Sequence, residues 1–526
     1  MSNIKTAGGY KMKKIVSMIV AAAVLFSAAC AFASETAEYM WAELPEFISF
    51  VTEPCSNIAL FSADYNEDDI IRKIYEGAAE QRSEITVSDS PLVEDSALTS
   101  SEIGKKTGEI LADIILKVKY TYPEMYFVEN SFTIWRYTSG RVSVGLNYSE
   151  GIDNVQKRMR LYAAFKEDIL SLITEDMTDF QKAVTVHDYI VMNLKYDTSY
   201  NVYDAVNMAL GGSGVCQGYA QMFYDICANE LGMGCGFAVG QNKTPGDAGH
   251  IWNVINIDGA WYHTDATYDD PLFRDSETKA LTDAPLRVSH NYFLISDEKL
   301  KSINPNDSID RENIDCAVEC SDAYYDENRP WDDSSSAQII VNDGAIYYIS
   351  GNKIMKKSDT EEKTVYEFEH SSGGHVSSGI GIYEDILYVI DNRKKIYRVH
   401  LSAGEGNIFY DGSSGSALIK YLRIDGGVLR FTLSEPNSVR FSVGAVPLGE
   451  TDGQILGAEL IDGKIVALLR STAKKAALYA ADSEGFVKRA SVVPGLNRVF
   501  AEYTGDAAYS LRLLLWTDGL KPLDAR

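Results

Sequence analysis

Cysteine is scarce in this sequence. Seven in 526 residues are too few for a disulfide-built scaffold, and none falls in the paired C-x-x-C units that a structural zinc site usually needs. Basic residues run short as well: 49 Lys and Arg against 75 Asp and Glu leave a formal net charge of −26, which repels phosphate backbones and anionic headgroups. Nucleic acid is therefore not an expected partner. Beyond the first thirty residues no apolar run reaches the roughly 18 residues needed to span a bilayer, and no biased tract is long enough to imply wholesale disorder. What is present is core-forming material, 45% hydrophobic and 11% aromatic. At roughly 150 residues per domain, the length implies about three folded units.

The chain opens like an export signal. Lys5, Lys11, Lys13 and Lys14 precede the uncharged run Ile15 to Ala29, which is short for a membrane span but fits a signal-peptide core. Ala31-Phe32-Ala33 supplies the small residues of a cut before Ser34, so residues 1–33 are read as a signal peptide and the mature protein as secreted. Ser27-Ala28-Ala29-Cys30 offers a competing cut that resembles a bacterial lipoprotein box and would anchor the protein to the cell surface through Cys30.

Periodicity divides the remainder. Helical spacing runs from Glu67 to Arg82, Ser101 to Lys119, Asn154 to Ile173 and Asp179 to Leu194, with Thr178 or Asp179 as a cap and Thr121-Tyr122-Pro123 as a break. Between the second and third helices, Ser131 to Tyr137 and Arg141 to Tyr148 alternate around Ser139-Gly140 and read as a hairpin. These patterns predict an α+β flank over 34–150 and an α+β catalytic unit over 151–303. Residues 304–336, dense in Asp, Glu, Asn and Ser, read as an acidic linker.

From 337 to 526 the grammar is all-β. A unit of strand, Asp-containing turn and strand recurs at Asp343, Asp385, Asp425 and Asp462, and Gly505-Asp506 is a candidate fifth. A period near forty with about four short strands per unit is what propeller blades show. An evenly spaced β-sandwich is the alternative.

The chemistry concentrates between 187 and 270. Gly211-Gly212-Ser213-Gly214-Val215-Cys216 runs from a glycine-rich turn into a helical stripe of Tyr219, Phe223, Ile226, Cys227 and Leu231 that stops at Gly232. Cys216 is thereby placed at a helix N-terminus, where orphan N–H groups and the positive end of the dipole favour a thiolate over a thiol. Taken alone, it reads equally as a small residue easing the packing of the helix start. Downstream, two strands flank Asp258-Gly259, the strongest two-residue hairpin signal. If Ile257 pairs with Ala260, Trp252 falls opposite Asp265 and Val254 opposite His263. His250 and Asp265 then become diagonal neighbours on one face. A cysteine nucleophile, a histidine to carry the proton and an aspartate to orient it are the three roles of thiol acyl transfer: Cys216, His250 and Asp265.

The pieces Gly214-Val215-Cys216-Gln217-Gly218-Tyr219-Ala220, Gly249-His250-Ile251-Trp252-Asn253-Val254 and Trp261-Tyr262-His263-Thr264-Asp265-Ala266 resemble the transglutaminase-like superfamily in its bacterial, protease-like branch. His187-Asp188-Tyr189, Tyr122-Pro123-Glu124 and His290-Asn291-Tyr292-Phe293 extend the resemblance over about residues 62 to 300. It implies a papain-like α+β core with Cys216, His250 and Asp265 as the triad. Tyr268 stands where relatives often carry Trp, a change expected to alter packing more than chemistry. No acidic loop has calcium spacing, and no cofactor or metal is expected.

The implied activity is that of an exported cysteine-dependent amidase or peptidase working through a thioester on protein or peptide amides, cell-wall peptides among them. Transglutaminase-type cross-linking, or a non-catalytic cell-surface protein that binds through its β-rich half, are the alternatives. Other residues invite plainer readings. His187 is structural or supporting, Tyr196 packs or donates to an oxyanion, Cys227 and Cys235 are core thiols, Cys316 and Cys320 could pair in an exported protein, and Asp269 and Asp270 belong to a turn.

Overall fold

The computed structural model describes residues 37–44, 66–502, 512–517 and 522–525, apart from 246, 271, 275–280, 284–285, 305–306, 330–338, 359–360, 369–375, 392–393, 437–440, 451, 474 and 483–484. The expected signal segment, Cys30 and Gly505-Asp506 lie outside the described residues.

The N-terminal flank is one sheet under two helices. Strand β1 (Ala37–Glu43), helix α1 (Glu67–Ala79), strand β2 (Ile85–Ser88), helix α2 (Ser100–Thr121), strand β3 (Val128–Tyr137) and strand β4 (Val142–Tyr148) follow one another, with sheet order β1-β3-β4-β2. Local signals set the boundaries. The Asn66 side chain caps α1, and Thr99 and Glu102 form a reciprocal capping box on α2. Pro123 cannot continue the α2 ladder, and a single 3-10 turn, Pro123–Phe127, carries the chain into β3. Ile74, Leu111, Ile115, Phe132, Ile134 and Val144 form the core between the layers.

The central unit is helical first and sheet second. Helices α3 (Ile152–Leu170) and α4 (Asp179–Asn193) lead to the two-residue strand β5 (Lys195–Tyr196), helix α5 (Ala205–Gly211), the matching strand β6 (Ser213–Gly214) and helix α6 (Cys216–Tyr224). Thr178 and Gln181 cap α4 reciprocally. Helix α6 continues as a π-helical turn over Asp225–Glu230, so the predicted stripe is one helix with a bulge in it. Strands β7 (Cys235–Asn242), β8 (His250–Ile257) and β9 (Ala260–Thr264) follow, then a small hairpin of β10 (Leu272–Arg274) and β11 (Leu281–Asp283), strand β12 (Phe293–Ile295), helix α7 (Asp297–Ile303), strand β13 (Ile309–Cys316) and helix α8 (Tyr324–Asn328). The sheet order is β12-β9-β8-β7-β13, antiparallel throughout.

Part of the stretch read as a linker is therefore structural. Residues Ile309–Cys316 pair with β7 as the edge of the central sheet, Ile314 against Gly240 and Cys316 against Ala238. Composition misread them because an edge strand solvates one side and tolerates charge there. Cys316 and Cys320 are free thiols, not a disulfide.

Beyond α8 every described element is a strand. Residues 340–367 form a four-stranded antiparallel meander, 376–411 a second and 418–447 a three-stranded third, the last two joined by one parallel pairing of Gly379 with Leu422. The four predicted turn sites are all two-residue hairpins. Three of them, at Asp343-Gly344, Gly426-Gly427 and Asp462-Gly463, hold positive φ at both central residues, the geometry that matches strand twist. After 453 the wiring changes. Lys464–Ser471 pairs with Gly495–Glu502, and Ala476–Asp482 pairs with Arg512–Thr517, so two sheets interleave instead of meandering.

The two halves share a core. Leu161, Phe165, Tyr189 and Phe293 of the central unit are buried in one cluster with Tyr348, Ile461, Val466 and Leu468 of the β-rich half. Around it, Arg470 holds Asp168 of α3, Arg160 of α3 holds Glu459 at 2.6 Å, and Arg498 donates to the Ala209 carbonyl at 2.6 Å.

Candidate active site

Cys216 is the first residue of α6. Val215 before it is extended and donates to the Val202 carbonyl at 2.9 Å, and β6 lies parallel to β5, with Gly214 paired to Tyr196. Gly214 and Gly218 let α5 come this close. A Cβ at either would meet the buried Met208 sulfur at 2.7 Å, so glycine at both positions brings the helix start against α5.

His250 opens β8, and Asp265 directly follows β9, the strand that faces it. The Asp258-Gly259 turn takes φ of +54° and +91°, Ile257 pairs with Ala260 and Val254 with His263, the register deduced from the turn. The two candidate side chains meet: His250 Nε2 lies 2.7 Å from Asp265 Oδ2. The other oxygen, Oδ1, accepts the Thr267 and Tyr268 backbone N–H groups at 3.1 and 3.0 Å, which fixes the carboxylate. With Nε2 engaged, Nδ1 is the nitrogen left to face Cys216, which lies close enough to raise the imidazole's pKa.

Electrostatics favour a charged imidazole. Burial alone would lower the His250 pKa, but the Asp265 charge and hydrogen bond, with a smaller contribution from the neighbouring Cys216, outweigh it and push the imidazole up to about 10. His250 and Asp265 are 6% and 1% exposed, whereas Cys216 is partly exposed; of the three, only the thiol is open to approach. Tyr196 lies close enough to Cys216 to interact electrostatically. Its phenol is held protonated, first by burial and then by that neighbouring sulfur, so it is a hydrogen-bond donor beside the thiol.

Aromatic residues that the sequence placed near the pair surround the imidazole. Trp252 stacks on the His250 ring at 5.6 Å and Tyr268 abuts its edge at 4.7 Å. Behind them Arg311, from the stretch read as linker, lies over Trp252, Tyr268 and Tyr292 and is held by Asp307 at 2.6 Å. Tyr268 donates to the same Asp307 at 3.0 Å. Arg311 and Asp307 reach the site only through packing between distant segments, which no local pattern announces.

Asp269 and Asp270 are not merely turn residues. Asp270 accepts from the Tyr219 hydroxyl inside the core. Asp269 is fully buried, accepts the Tyr292 N–H at 3.1 Å and faces His187 Nε2 at 3.3 Å. His187 Nδ1 meets Asp188 at 2.9 Å, and Asp188 holds His290 at 2.7 Å. The Tyr292 carbonyl in turn receives the Asp265 N–H at 3.0 Å. His187 thus supports the Asp265 turn from behind, as the plainer reading expected.

Among the described residues, two groups come close enough to share a cation: His187, Asp188 and His290, and His263, Asp297 and Cys320. Hydrogen bonds account for the second, because His263 Nδ1 accepts from Trp252 Nε1 at 3.0 Å and Nε2 engages Asp297 at 2.9 Å. Neither ring nitrogen is left for a metal.

A family model of the transglutaminase-like superfamily matches residues 167–266, the segment that carries Cys216, His250 and Asp265. The chain contains a transglutaminase-like domain. Tyr268, His290 and Arg311 fall outside the matched segment and complete the surroundings of the domain's histidine. A search of curated proteins found no match. Among solved structures, a candidate cysteine protease from Cytophaga hutchinsonii aligns at 18% identity over 26% of this chain and 54% of that one, with a TM-score of 0.18. An oligogalacturonate lyase from Vibrio parahaemolyticus aligns at 11% identity over 35% and 61%, with a TM-score of 0.16. The computationally designed Ika4 protein aligns at 10% over 21% and 64%, also at 0.16. The chain spans between about half and two thirds of the length of these structures, and at such scores the likenesses decide nothing about fold or activity.

Proposed function

We propose that the protein is an exported cysteine hydrolase that cleaves amide bonds of proteins or peptides, cell-wall peptides included, through a thioester on Cys216. One observation carries the reading: the partly exposed Cys216 stands at a helix start beside the His250 imidazole, and that imidazole is hydrogen-bonded to the Asp265 carboxylate at 2.7 Å. Cys216 Sγ attacks the amide carbonyl, and the Cys216 backbone N–H with the Tyr196 hydroxyl donates to the developing oxyanion. His250 gives its proton to the leaving amine as the C–N bond breaks, leaving a thioester. It then takes a proton from water, which attacks the thioester and frees the acid and the thiol. Asp265 keeps the imidazole oriented and supports its charge.

A thiol open to solvent always has water as an acceptor, so hydrolysis is the primary outcome; an amine that outcompetes water would convert the same thioester into a cross-link. The β-rich half is read as a propeller-like recognition module, supported by its three consecutive meanders and by hairpin turns about forty residues apart. Export through residues 1–33, with anchoring at Cys30 as the variant, completes the reading. Cys216→Ala should abolish amide hydrolysis in a peptide-library screen while leaving the circular dichroism spectrum and melting temperature unchanged. Hydrolysis retained by that folded variant would refute the reading.

A further inference from the structure

A poorly compensated buried charge lies away from Cys216. In the seam between the two halves is a cavity of about 610 Å³, within the range that small-molecule sites occupy. Helices α3 and α4 supply one wall and strands of the β-rich half the other, and none of Cys216, His250 and Asp265 lines it.

Arg423 reaches into this cavity while only 4% exposed. In the strand register it stands directly opposite Arg430, a like-charge pairing that is unfavourable by itself. Its Nε and Nη1 have no hydrogen-bond partner among the described residues. The nearby carboxylates serve other guanidiniums: Asp168 takes two nitrogens of Arg470, while Asp425 takes the third through Oδ1 and turns Oδ2, which accepts no hydrogen bond among the described residues, toward Arg430 at 3.5 Å. Three guanidiniums thus share two carboxylates. Asp188, also on the cavity wall, is held by His187 and His290 and reaches Arg423 only through space. Burial and the fields of Arg430 and Arg470 push Arg423 down to about 9, so it is still cationic at neutral pH. An unpaired buried cation is strongly unfavourable, and an incoming anion would relieve it.

The rim has the opposite sign. Asp176 and Asp343 line the same cavity and are exposed, and the Asp176 carboxylate comes within 3.5 Å of where a Cβ on Gly344 would stand, beside the Asp343 turn. A buried cation, exposed carboxylates and the apolar Met192, Ile339 and Ile382 on one lining match a zwitterion with a small aliphatic body.

We propose that this interdomain cavity is a second ligand site, distinct from the Cys216 centre, that binds an amino acid or short peptide with its carboxylate on Arg423 and its ammonium at the Asp176–Asp343 rim. The site goes beyond the proposed function and does not depend on it. The test is isothermal titration of the full chain with alanine, Ala-Ala, N-acetyl-Ala-Ala and inorganic phosphate. Wild type should bind alanine or Ala-Ala saturably, the stronger of the two deciding between amino acid and peptide, and bind the acetylated compound more weakly.

Arg423→Met should weaken binding roughly ten- to a hundredfold, the loss of a charge-assisted contact, without lowering the melting temperature of the free protein and without changing the alkylation rate of Cys216. Asp343→Asn, on the surface, should reduce the preference for the free amine and keeps the test valid if the first variant misfolds. No saturable binding, phosphate binding alone, or unchanged Ala-Ala affinity in both variants would overturn the proposal. Lost activity of Cys216→Ala would leave it untouched.

Discussion

His187 shows how far a single buried residue can depart from its ordinary chemistry. Burial alone would lower its pKa, but Asp188 and Asp269 on either side raise it from 6.5 to about 9. The folded chain therefore holds this proton to about pH 9, whereas the unfolded chain releases it near 6.5. Its contribution to stability is complete below about pH 6.5 and is lost as the pH rises through about 9. Chemical melts of wild type across that range should lose stability, and His187→Gln should flatten this part of the profile; an unchanged slope in the variant would show that the proton resides elsewhere. In the sequence, His187 showed a helical position and a place in the family resemblance, but not its partners. Its partners come from Asp269 and His290, about a hundred residues on, and that is why the cluster was not legible there.

Among the elements, the hairpin of β8 and β9 was the most legible. Asp258-Gly259 permits essentially one two-residue turn, and once the turn is set the alternation of side chains dictates which residues share a face. The start of α6 was legible for a related reason, since a glycine-rich turn before a helical stripe leaves little choice. What the sequence did not show is how closely α5 approaches. A Gly214 Cβ would lie 2.7 and 2.8 Å from the Met208 Sδ and Cγ, and Met208 is fully buried. Gly214→Ala should therefore cost about 1–3 kcal/mol in urea melts, the usual penalty of overpacking, and should slow alkylation of Cys216 by displacing the helix start; a neutral variant would mean that α5 yields easily. Strand β13 was misread for the opposite reason. Its Asp310, Glu312 and Asp315 suit an edge strand, and composition alone cannot separate that from a linker.

For the whole molecule, the β-rich half is fastened to the transglutaminase-like domain by a shared core and by Arg470 and Arg498, whose partners on α3, α4 and α5 lie some 290 to 305 positions earlier in the chain. Turn spacing revealed the three meanders, because each is a local event. It could not reveal the interleaved sheets after 453, whose pairing skips a hairpin, nor the seam where Arg423 lies. All of this architecture converges on the pairing at Cys216, and the pH dependence of Cys216 alkylation by iodoacetamide, followed by peptide mass spectrometry in wild type and His250→Ala, tests it most directly. With His250 held protonated up to about 10, wild-type Cys216 should label at lower pH than the variant, which should label only as an ordinary thiol does, near about pH 8.5. Superimposable profiles would contradict the thiolate–imidazolium pair on which the account rests.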